Sequence, residues 1–404
     1  NSEFSVARLG VSRQRYWGTP IPVVFCDYCG AVPVSTDQLP VELPLDVQLE
    51  DRGQSPLKTL QSFYDTECPK CGKTARRETD TLDTFICSSW YFDRYTSPRE
   101  EVRPFGKDKT DYWMPVDQYI GGIEHAVLHL LYSRFFHKVM ADLGLISGSE
   151  PFTRLLTQGM VIKDGAKMSK SKGNVVDPDD IIENYGADTA RLFTLFAAPP
   201  AKDLEWNEEG VQGGLRFLKR AWRVFENLKK GLELNSANEH VDVDVKELKQ
   251  LRRMTHVTVQ RVTEDIDRRM QFNTAIAAIM EFVNFLYAFK EWWVKQKCLY
   301  GDGQTVVWEA LENLALTLSP FAPHIASEMW SSLHPGGQVH NARWPNFDPE
   351  VAKAEEILIV VQVNGKVRQR LAVSADIGQE ELKFIALADE KVREWTQDKD
   401  PRKV

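Results

Sequence analysis

Apolar residues recur every three or four positions between about 124 and 143, at Val127, Leu128, Leu131, Phe135, Val139 and Leu143. That period predicts one amphipathic helix, closed by Gly144. Just upstream, the β-prone run Val116-Asp117-Gln118-Tyr119-Ile120 ends at Gly121-Gly122. Strand, glycine turn and helix in that order suggest a nucleotide-binding unit, with the turn at the carboxyl end of the strand. From about 208 to 333 the helical spacing dominates. Phe272, Ile276, Ile279, Met280, Val283, Leu286 and Tyr287 form one stripe, and a further helix over 307–319 stops at Ser319-Pro320-Phe321-Ala322-Pro323. Amphipathic helices in series predict a bundle.

The tail changes period. Ile357-Leu358-Ile359-Val360-Val361-Gln362-Val363 reads as a strand, Asn364-Gly365 as a two-residue hairpin turn and Lys366-Val367-Arg368-Gln369-Arg370-Leu371 as the returning strand. Alternation puts Lys366, Arg368 and Arg370 on one face. A helix is expected over about 379–395, and Lys403-Val404 reads as the start of another strand. The fold class is therefore α/β, then all-α, then a small α+β part. The expected divisions are 5–20 with 78–207 (α/β), a Pro-rich, short-stranded insertion at 21–77, a helical part at 208–345, and a C-terminal part at 353–404 that looks incomplete.

The 404 residues are too many for one ordinary core, and 43% apolar with 27% charged residues is a globular composition. No run of about 18 apolar residues occurs, so no membrane span is expected. The N-terminal Asn1-Ser2-Glu3-Phe4 is not a secretory signal and reads as an internal cut. The net charge of −8 argues against a non-specific nucleic-acid coat but leaves room for a local basic track.

Of six cysteines, four form the pairs Cys26-x-x-Cys29 and Cys68-x-x-Cys71, each followed by glycine. Two such knuckles complete a tetrahedral, structural Zn²⁺ site; four reduced buried thiols are the alternative. The pattern suits a reducing, cytoplasmic setting. Cys87 and Cys298 read as packing residues.

Gly165-Ala166-Lys167-Met168-Ser169-Lys170-Ser171-Lys172-Gly173-Asn174 places three lysines within six residues, after the β-prone Met160-Val161-Ile162. Ammonium groups on such a loop can converge on a polyphosphate and favour the charge that builds up as its α-phosphate is attacked. A solvated basic turn is the plain alternative. His125 and His129, four apart, would share a helix face; a ligand pair is one reading, and a structural or surface pair is the more usual one. Asp80-Thr81-Leu82-Asp83-Thr84-Phe85-Ile86-Cys87-Ser88-Ser89-Trp90-Tyr91-Phe92 offers an apolar wall with a few polar groups, as a pocket for an apolar amino acid needs; a half-buried strand and helix start fits equally. Arg13, Arg15, Tyr16 and Trp17 pair cations with rings that can hold a single-stranded nucleotide end; a buried Trp with surface arginines fits equally.

Together these segments resemble the bacterial-type leucyl-tRNA synthetases of class I. Lys167 through Ser171 match the KMSKS signature of the class. Asp111-Tyr112-Trp113-Met114-Pro115-Val116-Asp117-Gln118-Tyr119-Ile120-Gly121-Gly122-Ile123-Glu124-His125-Ala126 and Leu195-Phe196-Ala197-Ala198-Pro199-Pro200 are characteristic of leucyl enzymes. The resemblance covers nearly the whole chain. It implies the second half of a Rossmann-like catalytic domain with a zinc-ribbon-like insertion, a helical anticodon-binding bundle and a truncated C-terminal domain. It implies leucine activation by ATP with Mg²⁺, then transfer to the 3′ end of tRNA(Leu). Lys167, Lys170 and Ser169 would meet the ATP phosphates, and Gly122 and Glu124 the ribose. Phe85, Ser88, Tyr91, His125 and His129 would line the leucine pocket. Arg13, Arg15, Trp17, Lys366 and Arg368 would face tRNA. The HIGH motif and the editing domain of the family are absent from these residues. The expectation is thus a C-terminal portion that needs a missing N-terminal half, with a tRNA-binding module as the alternative.

Overall fold

The computed structural model describes residues 10–47, 55–234, 245–293, 295, 302–353, 356–374 and 377–396, which fall into two units, Asn1–Gly159 and Met160–Val404. In chain order the first unit holds β1 (Ser12–Arg13), β2 (Val23–Cys26), β3 (Gly30–Pro33), α1 (Gln61–Tyr64), β4 (Asp65–Glu67), β5 (Thr74–Arg77), β6 (Thr81–Leu82), α2 (Thr84–Ser88), α3 (Tyr91–Tyr95), α4 (Lys107–Trp113), β7 (Tyr119–Gly122), α5 (His129–Asp142) and β8 (Leu155–Gln158). Turn residues and prolines keep these elements short. The cysteine-bearing strands form an antiparallel sheet in the order β3-β2-β5-β4, around a small core of Val24, Val34 and Ala75. β7 and β8 pair in parallel.

Two expectations change here. Gly121 and Gly122 lie inside β7, opposite Thr157 and Gln158, rather than in a turn after it. The chain must therefore leave the sheet within the next few residues. It does so through a 3-10 turn over Ile123–Val127 and a break at Leu128 (φ −119°, ψ −101°), so α5 starts only at His129. The helix end is as expected: Gly144 takes φ +71° and the Leu145 N–H closes on the Met140 carbonyl at 2.9 Å. The face of α5 also differs. Leu130, Tyr132, Ser133, His137 and Met140 point inward. The apolar stripe that marks the helix, Val127, Leu128, Leu131, Phe135, Val139 and Leu143, is exposed. The helix carries two apolar faces, and the unit covers one of them.

The second unit contains β9 (Val161–Lys163), β10 (Ala166–Lys167), α6 (Pro178–Tyr185), α7 (Ala187–Phe196), β11 (Leu204–Glu205), α8 (Glu208–Leu234), α9 (Lys246–Glu264), α10 (Phe272–Trp293), α11 (Asp302–Leu318), α12 (Pro323–Leu333), α13 (Pro349–Ala352), β12 (Glu356–Val363), β13 (Lys366–Ser374), α14 (Gln379–Ala388) and α15 (Glu390–Thr396). A three-stranded sheet, β10-β9-β11, opens it. Residues 160–207 thus join the helices, because Leu192 of α7 is buried in the bundle core. α10 sits at the centre, with Ala275, Ile276, Ile279, Phe282, Val283 and Leu286 buried. By length and hydropathy α10 alone among the described helices could cross a membrane. Its burial among α8, α9 and α11 accounts for that composition.

β12 and β13 form the expected hairpin, with Asn364 (φ 53°) and Gly365 (φ 74°) in the left-handed turn. A bulge opposite Val361/Gln362 leaves Arg368 as the extra residue, which breaks the expected alternation. Arg368 lies 3.4 Å over the Trp395 ring centre, and the neighbouring Gln369 Nε2 donates to Asp389 Oδ2 at 3.1 Å. Arg368 therefore does not share one free face with Lys366 and Arg370. The helix expected over 379–395 is split at Asp389 (ψ 130°), whose carboxylate caps α15 at the Val392 N–H. The strand expected at 403–404 lies outside the described residues.

Two glycines of α8 should respond oppositely to alanine. A Cβ at Gly231 would fall 2.2 Å from Trp293 Nε1, in a fully buried indole. A Cβ at Gly213 meets only an Arg216 nitrogen at 3.8 Å. Gly213→Ala should raise stability by up to about 1 kcal/mol through helix propensity. Gly231→Ala should lower it by about 1–3 kcal/mol through overpacking. Urea unfolding of both variants checks the signs.

Candidate functional site

In the first unit, α2, α3, β7, α5 and β8 converge on one cavity of about 340 Å³, lined by Phe85, Ser88, Tyr91, Tyr119, Ile120, Gly121, Gly122, His125, His129, Leu130, Leu155 and Thr157. All five residues expected in an amino-acid pocket are present, with Gly122 beside them. α2 is set by Asp83, whose buried carboxylate accepts the Phe85 N–H at 2.8 Å and pairs with Arg13 at 2.6 Å. Arg13 is thus bound to the wall of the pocket. Phe85 stacks on Tyr132 (6.1 Å) and meets His125 edge-on (6.3 Å).

The polar groups form a chain. Tyr91 Oη lies 2.8 Å from Tyr119 Oη, which lies 2.6 Å from His129 Nε2, with Ser133 Oγ at 3.3 Å from the same nitrogen. Burial, then the nearby His125, holds the His129 pKa below the usual imidazole value. Burial and the Tyr91 hydroxyl push the Tyr119 phenol up. Both shifts favour the neutral forms of His129 and Tyr119, which suits an apolar guest between Ile120, Leu130 and Leu155. His125 Nδ1 is buried and has no hydrogen-bond partner among the described residues. The histidines sit on a 3-10 turn and a helix start rather than one helical face; their ring centres are 6.2 Å apart. At Gly122 a Cβ would come within 2.5 Å of Glu124 Oε2, so glycine lets that carboxylate lie against the strand. Tyr119 and Ile120 could have been found in the glycine-rich segment. Leu155 and Thr157 come from β8, which carries no signature.

In the second unit the lysine segment is a built hairpin. Asp164 (φ 55°) and Gly165 (φ 69°) turn β9 into β10, which ends at Lys167. Lys170 opens a 3-10 turn over Lys170–Lys172 that Gly173 (φ 65°) closes. Both glycines are required by these left-handed angles. Asn174 joins the pieces: its Oδ1 accepts the Ser169 N–H at 2.9 Å, and its Nδ2 donates to the Lys163 carbonyl at 3.1 Å. Ser169 Oγ lies 3.2 Å from Ser171 Oγ. Lys167, Lys170 and Lys172 stay at the surface. Asn174 was legible only as the end of the motif.

The four cysteines meet. The Sγ atoms of Cys26, Cys29, Cys68 and Cys71 all lie within 4.8 Å of one another, and Cys26 and Cys71 are 3.7 Å apart. A tetrahedron with Zn–S of about 2.3 Å needs sulfurs about 3.8 Å apart, so the donor set fits zinc. Gly30 (φ 72°) and Gly72 (φ 68°) make the two knuckle turns. At Cys68 burial opposes ionisation, but the Lys70 and Cys71 backbone and the Cys71 and Cys26 side chains bring the thiol down to about 7. Among the described residues this is the one His/Cys/Asp/Glu group with ligand spacing. Cys87 is exposed, 3.3 Å from Thr19 Oγ1, and so is no packing residue. Cys298 lies outside the described residues.

Trp17 is 83% exposed and Arg15 is also at the surface, whereas the Tyr16 hydroxyl is bound to the Pro44 carbonyl at 2.6 Å. Lys366 is exposed on the C-terminal hairpin.

Residues 7–207 match the family model of tRNA synthetases class I (I, L, M and V), and residues 249–383 match the anticodon-binding domain of tRNA ligase. A leucine–tRNA ligase of Geotalea daltonii is 55% identical over 393 residues, covering 97% of this chain and 47% of the relative. A ternary complex of LeuRS from Agrobacterium radiobacter K84 with tRNA and LeuAMS superposes with a TM-score of 0.80 at 39% identity, over 97% of this chain and 50% of that one. Methionyl-tRNA synthetase of Mycobacterium tuberculosis, at 18% identity and a TM-score of 0.50 over 70% of this chain and 57% of that one, shares the fold. The chain spans about half the length of the leucyl relatives it matches. By both family models and by that identity, the chain belongs to the class I tRNA synthetases, as a homologue of leucine–tRNA ligases.

Proposed function

We propose that this chain is the portion of a leucyl-tRNA synthetase that supplies the leucine pocket and the lysine half of the ATP site. One observation carries the reading: Phe85, Ser88, Tyr91, His125 and His129, from separate segments, line a single cavity beside Gly121 and Gly122. In this reading the apolar walls hold the leucine side chain, and Gly122 and Glu124 take the ribose. Lys167 and Lys170, with Ser169, meet the ATP phosphates as leucyl-adenylate and pyrophosphate form, with Mg²⁺ accompanying ATP. Charge fixed at the phosphates lowers the barrier most when it is already in place, and the Asn174 hydrogen bonds supply that rigidity. Arg15, Trp17 and Lys366 face tRNA(Leu), and the helical bundle takes its anticodon side. Zn²⁺ on the four cysteines is structural, because four ligands leave no open position. The cysteine usage fits a cytoplasmic setting.

The exposed stripe of α5 supports a further element of this reading. A face carrying Leu131, Phe135 and Val139 in the open is an interaction surface. An N-terminal half of the synthetase is the occupant proposed for it.

Three outcomes are expected. Leucine-dependent ATP–pyrophosphate exchange should appear when the chain is combined with a separately produced N-terminal half, and Lys170→Ala should lower its kcat by about 10²–10³-fold. tRNA binding without exchange in any mixture would favour a non-catalytic binding module. Phe135→Glu should leave the chain's own stability within about 0.5 kcal/mol yet abolish that complementation; retained exchange counts against the docking face. Elemental analysis should find one zinc per chain, lost in Cys68→Ser, and less than half an equivalent in the unmutated protein removes the assignment.

A further inference from the structure

Helix α12 starts without a cap of its own. Its N-cap residue is Ala322, which has no acceptor, and Pro323 fills the first position, so the N–H groups of His324 and Ile325 need partners. Both are taken by Asp188, in the first turn of α7 and more than 130 residues earlier. Asp188 Oδ1 accepts the His324 N–H at 3.2 Å and Oδ2 the Ile325 N–H at 2.8 Å. Oδ1 also lies 2.8 Å from His324 Nδ1. This carboxylate is only 12% exposed. One turn along α7, Arg191 donates to the Pro320 carbonyl at 3.2 Å, just past the end of α11. An acid thus sits at the start of α12 and a base at the end of α11, which is the placement each helix dipole favours. One helix grips the α11–α12 corner from both sides.

The other face of α7 belongs to a different layer. Phe193 meets Trp206 edge-on at 4.9 Å, inside a small core with Ile181, Leu204 and Val211. Leu204 is in β11, which runs parallel to β9, and the Trp206 N–H donates to the Ile162 carbonyl at 2.8 Å. The opposite edge of β9 carries β10 and Lys167. Between the bundle corner and the lysine hairpin, α7 is thus held by the Asp188–Arg191 clasp and by Leu192 in the bundle core on one side, and by Phe193 packed on Trp206 and Val211 on the other.

We propose that Asp188, seconded by Arg191, is a positioning residue that fixes the helical bundle relative to the lysine hairpin, so that RNA held by the bundle and phosphates held by the hairpin share one frame. The functional part of this inference rests on the reading above. The clasp acts through α7 and not on substrate. The hairpin keeps its own shape through Asn174 and its strand pairing, so amino-acid activation does not depend on the clasp. Transfer to RNA does, because it needs the bundle in register.

The primary test is mechanical. In the intact chain, paramagnetic probes at the exposed positions 202, beside β11, and 328, on α12, should give one narrow distance distribution. Asp188→Ala should broaden it, Asp188→Asn should partly restore it, and Asp348→Ala, which removes a comparable cap from α13, should leave it narrow. An unchanged distribution in Asp188→Ala overturns the proposal. The second test uses the complemented synthetase. In Asp188→Ala, leucine-dependent exchange should stay within about two-fold while kcat/KM for charging tRNA falls about ten-fold. A loss of both activities in step points to a merely structural cap and also overturns it. If the unmutated mixture shows no leucine-dependent exchange, the functional reading falls, and the distance distribution decides the clasp by itself.

Discussion

The parallel pairing of β7 with β8, Tyr119 opposite Leu155 and Gly122 opposite Gln158, sets the pocket. It brings Tyr119 and Ile120 beside Leu155 and Thr157, and it directs the chain into the turn that presents His125 and His129. Without this register Tyr119 would not lie between Tyr91 and His129, and the hydrogen-bonded chain would not form. Two strands of four residues are a small sheet to carry so much. α5 packs one apolar face against the pocket's own unit and leaves a second in the open. A parallel sheet is ordinarily covered on both faces. The exposed stripe of α5 and the exposed Ile120 and Leu155 leave this sheet and its helix partly uncovered.

In the second unit the same economy recurs. The hairpin that displays Lys167 and Lys170 rests on three short strands, and its turn is held by one amide side chain, Asn174. Its link to the helical bundle runs through α7, which caps α12 with Asp188 and packs Phe193 on Trp206. The zinc-type cluster plays the equivalent role for the small antiparallel sheet of the first unit, where only a few apolar residues are buried. A metal there would offset a core too small to stand alone.

Much of this was legible in the residues. The lysine motif, the paired CxxC knuckles, the Asn-Gly hairpin and the helical bundle each depend on local spacing, and local spacing is what a sequence displays. The apolar period of α5 was visible too, but a period reports which residues share a face and not which face is covered. The stripe that marks the helix consequently turned out to lie in the open. The single helix expected from 124 failed because β7 continues through both glycines, a fact of strand pairing with β8. The bulge at Arg368 depends on a register shift between two strands. The Asp188 clasp joins residues 136 positions apart and leaves no local mark except a helix that begins at Ala322 with nothing to cap it.

Amino-acid choice tests the central claim most directly, since the lysine loop is common to the class and the pocket is not. Pyrophosphate exchange by the chain with its complementing half should be measured for leucine, isoleucine, valine and methionine. A cavity of this size, lined by Phe85, Tyr91 and His129, predicts kcat/KM for leucine at least about 10²-fold above the other three. Equal rates for the four, or a preference for another of them, would contradict the account.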